Sequence, residues 1–165
     1  MQPKTRYRYW RMRRVKDPKQ RINAGLLMVG AGILIFRTLR MVTVEQAFEI
    51  LVDWVYVLLI MEFMVDVACF MASMRWFVLS KWKYASTALK LGATAALLHA
   101  LRVLIYVLGR TGPWVNFDVK PEYREAYTFD WFWIYFAAVL SILGVIAVFV
   151  IWRFRRKQRR MNRGY

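Results

Sequence analysis

With 165 residues, of which 59% are hydrophobic, and a net charge of +16, the chain combines oiliness and charge in a way that a soluble globule does not. A single cysteine, Cys69, and a single histidine, His99, exclude a disulfide framework and any metal site built from several thiols or imidazoles of one chain. Segregation reconciles the oil with the charge: apolar residues gather in four long runs and cations between and beyond them, the pattern of a polytopic membrane protein.

Residues 1–21 form a basic tail in which Lys and Arg face one acid, Asp17, and are interleaved with Tyr7, Tyr9 and Trp10. Cations with stacking rings also suit RNA. Membrane flanks accumulate the same residues against anionic headgroups, so lipid contact through Arg11, Arg13 and Arg14 is preferred and nucleic acid is disfavoured. The first span is expected over about 22–44. Its fully apolar part is short for a crossing, which places Arg37 and Arg40 near the far interface. Gly25 and Gly32, seven apart, share a face on which another helix packs closely.

The second span, about 46–71, is expected to open with Thr43 as N-cap and Gln46 as its capping-box partner. It carries Glu49, Asp53, Glu62 and Asp66 inside an otherwise apolar run. A central acid costs about 2.5 to 3.5 kcal/mol on insertion scales, so these carboxylates must face protein, water or a cation and not lipid. A connection over 72–86 mixes Arg75, Lys81 and Lys83 with Trp76, Phe77, Trp82 and Tyr84, as headgroup-level segments do.

The third span, about 88–108, has Ala88, Gly92, Ala96 and Ala100 at four-residue spacing, a small-residue stripe for helix packing. His99 falls within that stripe and Arg102 beside it, so both are expected to face protein. The loop over 109–130 is nearly neutral. The fourth span, about 131–152, is uncharged, with Trp131, Trp133 and Tyr135 as one aromatic belt and Trp152 as the other. Arg153, Arg155 and Arg156 then anchor the basic tail over 153–165 to headgroups.

The expected fold is therefore an all-α membrane protein, a four-transmembrane-helix antiparallel bundle over 22–152 with both termini cytoplasmic, in the plasma (inner) membrane or an organellar inner membrane. Matching the charges by depth pairs Glu62 with His99 and Asp53 with Arg102, and brings Arg37 and Arg40 beside Glu49 and Asp53. Around the second helix Glu49 and Asp53 share one side and Glu62 and Asp66 nearly the opposite one. Acids on two faces suit two protein neighbours better than one pore.

No phosphate-cradling loop, nucleophile elbow or HExxH occurs, and haem on His99 would need a second ligand, so neither enzyme nor cofactor is expected. The expected role is an integral membrane subunit of a homo-oligomer or larger membrane complex, with other copies or other membrane subunits and lipids as partners. A proton or ion channel or transporter using Glu62, Asp66 and His99 is the alternative. A membrane-tethered adaptor whose basic tails recruit an acidic partner is the third reading.

Overall fold

The computed structural model describes residues 18–80, 82–111, 116–124 and 131–161. Arg11, Arg13 and Arg14, and the side chains of Arg155, Arg156, Trp131, Trp133 and Trp152, lie outside the described residues. The described chain is all-helical: α1 (Pro18–Thr43), a single turn α2 (Ala47–Ile50), α3 (Asp53–Leu79), α4 (Trp82–Thr111), a 3-10 turn (Pro121–Tyr123) and α5 (Trp131–Met161). Helices α1, α3 and α4 are long and apolar enough to cross a membrane, and α5 contributes a shorter apolar stretch, Ile134–Val150.

Polarity is inverted relative to a soluble protein. Leu26, Phe36, Met64 and Phe132 are each more than 60% exposed, whereas Thr38, Glu62, Asp66, Ser73, His99 and Arg102 are buried. A surface this apolar is stable against acyl chains and not against water. The core is a seam between helices. On α3 the buried positions are Val55, Leu59, Glu62, Asp66, Cys69, Ser73 and Trp76, a strict alternation of four- and three-residue steps. Such spacing keeps one face turned to its neighbours along a gently supercoiled contact. On α1 the buried Ala24, Ala31 and Thr38 repeat every seven residues. On α4 Ala85, Ala88, Ala95, His99 and Arg102 complete the same seam.

Helix α3 lies between α1 and α4, α5 packs against α4, and α1 reaches α4 more lightly. A closed four-helix bundle would also bring α5 against α1, and no comparable packing exists among the described residues. Added Cβ atoms on Gly25 and Gly32 would meet Phe77 and Phe70, which makes α1 and α3 antiparallel. Two ends follow: a tail end with Pro18, Leu79 and Trp82, and a loop end with Thr43, Asp53 and Thr111.

The helix boundaries differ from the sequence expectation in three places. Thr43 does not cap the second span; its hydroxyl donates to Leu39 O at 2.9 Å and closes α1. Gln46 takes a left-handed conformation (φ 48°) before α2 and makes no side-chain cap bond, and the extended Leu51 separates α2 from α3. The second long helix thus begins at Asp53. It also continues past Met71 to Leu79, because Ser73 and Trp76 extend the buried seam and Arg75 is covered by the Tyr84 ring at 5.3 Å. Only at Ser80, left-handed at φ 49°, does it stop.

Candidate functional site

The seam brings three ionisable side chains of α3 and α4 together midway along α3. Glu62 and the pair His99 and Arg102, three apart and therefore on one face of α4, meet across the helix contact. Arg102 engages the carboxylate twice, Nε to Oε2 and Nη2 to Oε1 at 3.1 Å. His99 Nδ1 lies 2.8 Å from Oε1. A carboxylate held by a guanidinium only accepts, so Nδ1 carries the ring proton, and its 3.1 Å approach to Arg102 Nη2 is a contact and not a second hydrogen bond. The remaining Arg102 nitrogen, Nη1, reaches Met41 Sδ of α1 at 3.1 Å, and the guanidinium sits 5.9 Å from the Tyr106 ring centroid. All three residues are at most 2% exposed. The two-pronged fork is the geometry in which a buried ion pair recovers most of its desolvation cost.

One turn further along α3, Asp66 is completely buried and neither of its carboxyl oxygens makes a hydrogen bond within the described protein. The same holds for the Thr38 hydroxyl on α1 and for His99 Nε2 on α4. Beyond Asp66, Ser73 Oγ donates to Cys69 O at 2.7 Å, and Cys69 Sγ lies 4.0 Å from Ala88 O. Apolar residues close the polar stretch at both ends. Met41, Ala47, Leu51, Val55 and Leu59 cluster toward the loop end, and Ala24, Trp76, Ala85 and Ala88 toward the tail end.

A second ion pair lies at the loop end. Arg110 Nη1 bonds Asp118 Oδ1 at 2.6 Å, and both side chains are buried. The backbone fastens the same loop: Val52 N donates to Asp118 O at 3.1 Å and Lys120 N to Ile50 O at 2.9 Å, around an isolated bridge between Leu51 and Val119. The extended Leu51 that interrupts the second span thus exists to receive this loop.

The other residues singled out by sequence are dispersed. Glu49 and Asp53 are exposed at the loop end, and Arg102 pairs with Glu62 and not with Asp53. Asp53 stands in the first turn of α3, where the helix dipole favours an acid. Arg40 faces Glu45 at 3.7 Å. Arg37 is half-buried, within the field of Arg102, Glu45, Tyr106 and Glu62. Gly25 and Gly32 receive rings of α3.

The four-residue stripe of α4 divides between two partners. Ala88 packs with Ala24 and Trp76, and a Cβ on Gly92 would lie 2.7 Å from Leu27 Cδ1 and 3.6 Å from Cys69 Sγ, whereas Ala96 faces Gly144 of α5 and Ala100 is half-buried. A four-residue step gains about 40° per turn, so the stripe drifts from the α1/α3 side to α5. On α5, Ala137 and Ser141 are buried on the same face as Gly144. Sequence reading missed Thr38 and Met41, each an ordinary residue in an apolar run, and the Arg110–Asp118 clamp.

Among the described residues no group of three or more His, Cys, Asp or Glu side chains is placed to hold a metal ion. No family model, curated protein or solved structure matches the chain.

Proposed function

We propose that the protein is a non-enzymatic integral membrane subunit with four crossings and both termini on the cytoplasmic side, and that its intramembrane charges hold its helices together within a homo-oligomer or a larger membrane complex. The observation that carries this reading is the enclosure of the polar residues. Glu62 is saturated by Arg102 and His99 inside one chain, and the polar stretch lies between two apolar clusters. A conducting path needs continuous polar or wetted lining through the hydrocarbon, and the clusters interrupt it. The ion pair then acts as a register lock between α3 and α4.

Two further features support the orientation and the subunit role. Arg21 covers Phe77, Arg75 covers Tyr84 and Trp76 Nε1 donates to Gln20 at the tail end, a basic and aromatic belt of the kind found at the cytoplasmic interface. Helix α5 is fastened to α4 along one small-residue face, while Ile142, Leu143, Ile146 and Phe149 stay exposed. In a complex that exposed surface meets a neighbouring membrane helix or lipid.

The test is gentle extraction into nanodiscs followed by native mass measurement and a proton-flux assay in liposomes. The expected result is a complex heavier than one chain and no flux above that of empty liposomes. A lone single chain with flux abolished by Glu62→Gln would overturn the reading in favour of a conductor. Reporters fused to the two ends are expected to lie on one side, the cytoplasmic one.

A further inference from the structure

Three helices each turn an unsatisfied polar group into the seam within about one helical turn of depth. Gly32 faces Phe70, so the antiparallel register brings the Thr38 region of α1 level with Asp66 of α3 to within about one turn. Gly92 faces Cys69, which sets His99 of α4 slightly to the loop side of Asp66. Thr38 and His99 are 2% exposed and Asp66 is fully buried. Thr38 Oγ1, both oxygens of Asp66 and His99 Nε2 make no hydrogen bond to the described protein or to one another. Buried polar atoms are ordinarily paired, and four such atoms on three elements within about one turn of depth point to a shared ligand.

We infer that Thr38, Asp66 and His99 surround a closed proton-binding site in which Asp66 carries the proton. The charge balance requires a positive species. Arg102 spends Nε and Nη2 on Glu62 and Nη1 on Met41 Sδ, so a carboxylate at Asp66 would stand beside the Glu62 carboxylate with no cation of its own. The charged and titratable groups whose fields reach it are Glu62 and Cys69 on α3 and Arg102 on α4, while Arg37 on α1 and His99 and Tyr106 on α4 act on Glu62 and Arg102. A hard metal cation takes about six or more oxygen ligands. The seam offers Thr38 Oγ1 and the two oxygens of Asp66, since the carbonyls of the surrounding helices are used within them. A proton needs no such shell. It converts Asp66 into a hydroxyl donor and carbonyl acceptor; His99 Nε2, unprotonated while Nδ1 carries the ring proton, can accept from the new hydroxyl, and the Thr38 hydroxyl can donate to the carbonyl, directly after a rotamer change or through a water. The apolar clusters at both ends make the proton an occluded one, exchanged only when the helices part. The site stands whether or not neighbouring subunits bind, so it survives failure of the assembly reading.

Infrared spectroscopy on the full chain in lipid tests it. With aspartate carrying ¹³C in its carboxyl group, a protonated-carboxyl C=O band is expected at pH 7, displaced by the label. In Asp66→Glu made with the same label, the band is expected to persist and lose its isotope displacement. Asp66→Asn removes it, and Thr38→Val moves its frequency. Only ionised-carboxylate bands at pH 7, a band indifferent to the aspartate label, or a band that disappears on adding sodium at constant pH would each overturn the proposal. Where a variant does not fold, the labelled wild-type spectrum still overturns the proposal if it shows no protonated aspartate.

Discussion

Among the described residues two buried arginine–carboxylate pairs serve opposite purposes. Glu62–Arg102 lies mid-seam, two-pronged, flanked by apolar residues on both sides and joined by His99 and Met41, so it ties three long helices. Arg110–Asp118 lies at the end of α4, joined through a single nitrogen, and ties a loop to a helix. Arg110 Nη1 also has Gly109 O and Asn116 Oδ1 at 3.4 Å, and the guanidinium stands 5.6 Å from the Tyr106 ring. Without Arg102, Glu62 keeps one hydrogen-bond partner, His99; Arg110 has several acceptors and a ring beside it. Identical chemistry therefore sets helix register in one place and loop position in the other, and the difference comes from what surrounds each pair.

The largest expected effect follows from breaking the central pair on one side. Arg102→Met leaves the Glu62 carboxylate buried with His99 as its one remaining partner, and a buried charge stripped of its counter-ion costs about 3–5 kcal/mol. The double replacement Glu62→Leu with Arg102→Met is expected to recover most of that loss, since an apolar pair suits its surroundings. Reversible unfolding in mixed micelles measures both. Equal losses for the single and the double variant would show that the pair does not lock the seam.

At the loop end the effect is smaller and local. Asp118→Ala removes the main acceptor of Arg110 and is expected to cost about 1–3 kcal/mol, the range for a buried donor losing its bond. Hydrogen exchange separates the two regions: the Val52 and Lys120 amides, bonded to Asp118 O and Ile50 O, should exchange faster, with the α3 seam unchanged. Gly109→Ala gives an independent route to the same end. Its Cβ would lie 2.6 Å from Asp118 Oδ1 and 3.2 Å from Cγ, so the carboxylate must withdraw from Arg110. The same two amides are expected to respond, with no change in the number of charges.

The two regions also differed in how far the sequence exposed them. The long helices, their apolar outsides and the approximate depth of Glu62 beside His99 could be read because periodicity and span length constrain them. Arg102 pairs with Glu62 and not with the expected Asp53 for a physical reason: a second span counted as one helix over about 46–71 has its middle too early in the chain, whereas the break at Leu51 starts the long helix at Asp53 and leaves Asp53 exposed. That break depends on a loop more than 60 residues away in sequence, Val119 against Leu51, which no local pattern encodes. Thr38 and Met41 were silent for another reason. A hydroxyl or thioether in an apolar run gains meaning only once its neighbours across the seam are known.

The smallest expected effect lies where α5 meets α4, and it tests whether that contact is as separable as its single face implies. A Cβ on Gly144 would come 3.2 Å from Ala96 Cβ, so Gly144→Ala needs a displacement of a few tenths of an ångström. Because α5 is held chiefly by α4, it can move that far without disturbing α1 or α3, and a cost below about 1 kcal/mol is expected. Gly144→Leu cannot be accommodated by so small a shift. It is expected to loosen α5, seen as faster exchange along residues 134–150, while Glu62, His99 and Arg102 keep their protection. Loss of protection in the seam as well would mean that α5 braces α4 against the ion pair, and that the two parts of the molecule fold as one unit.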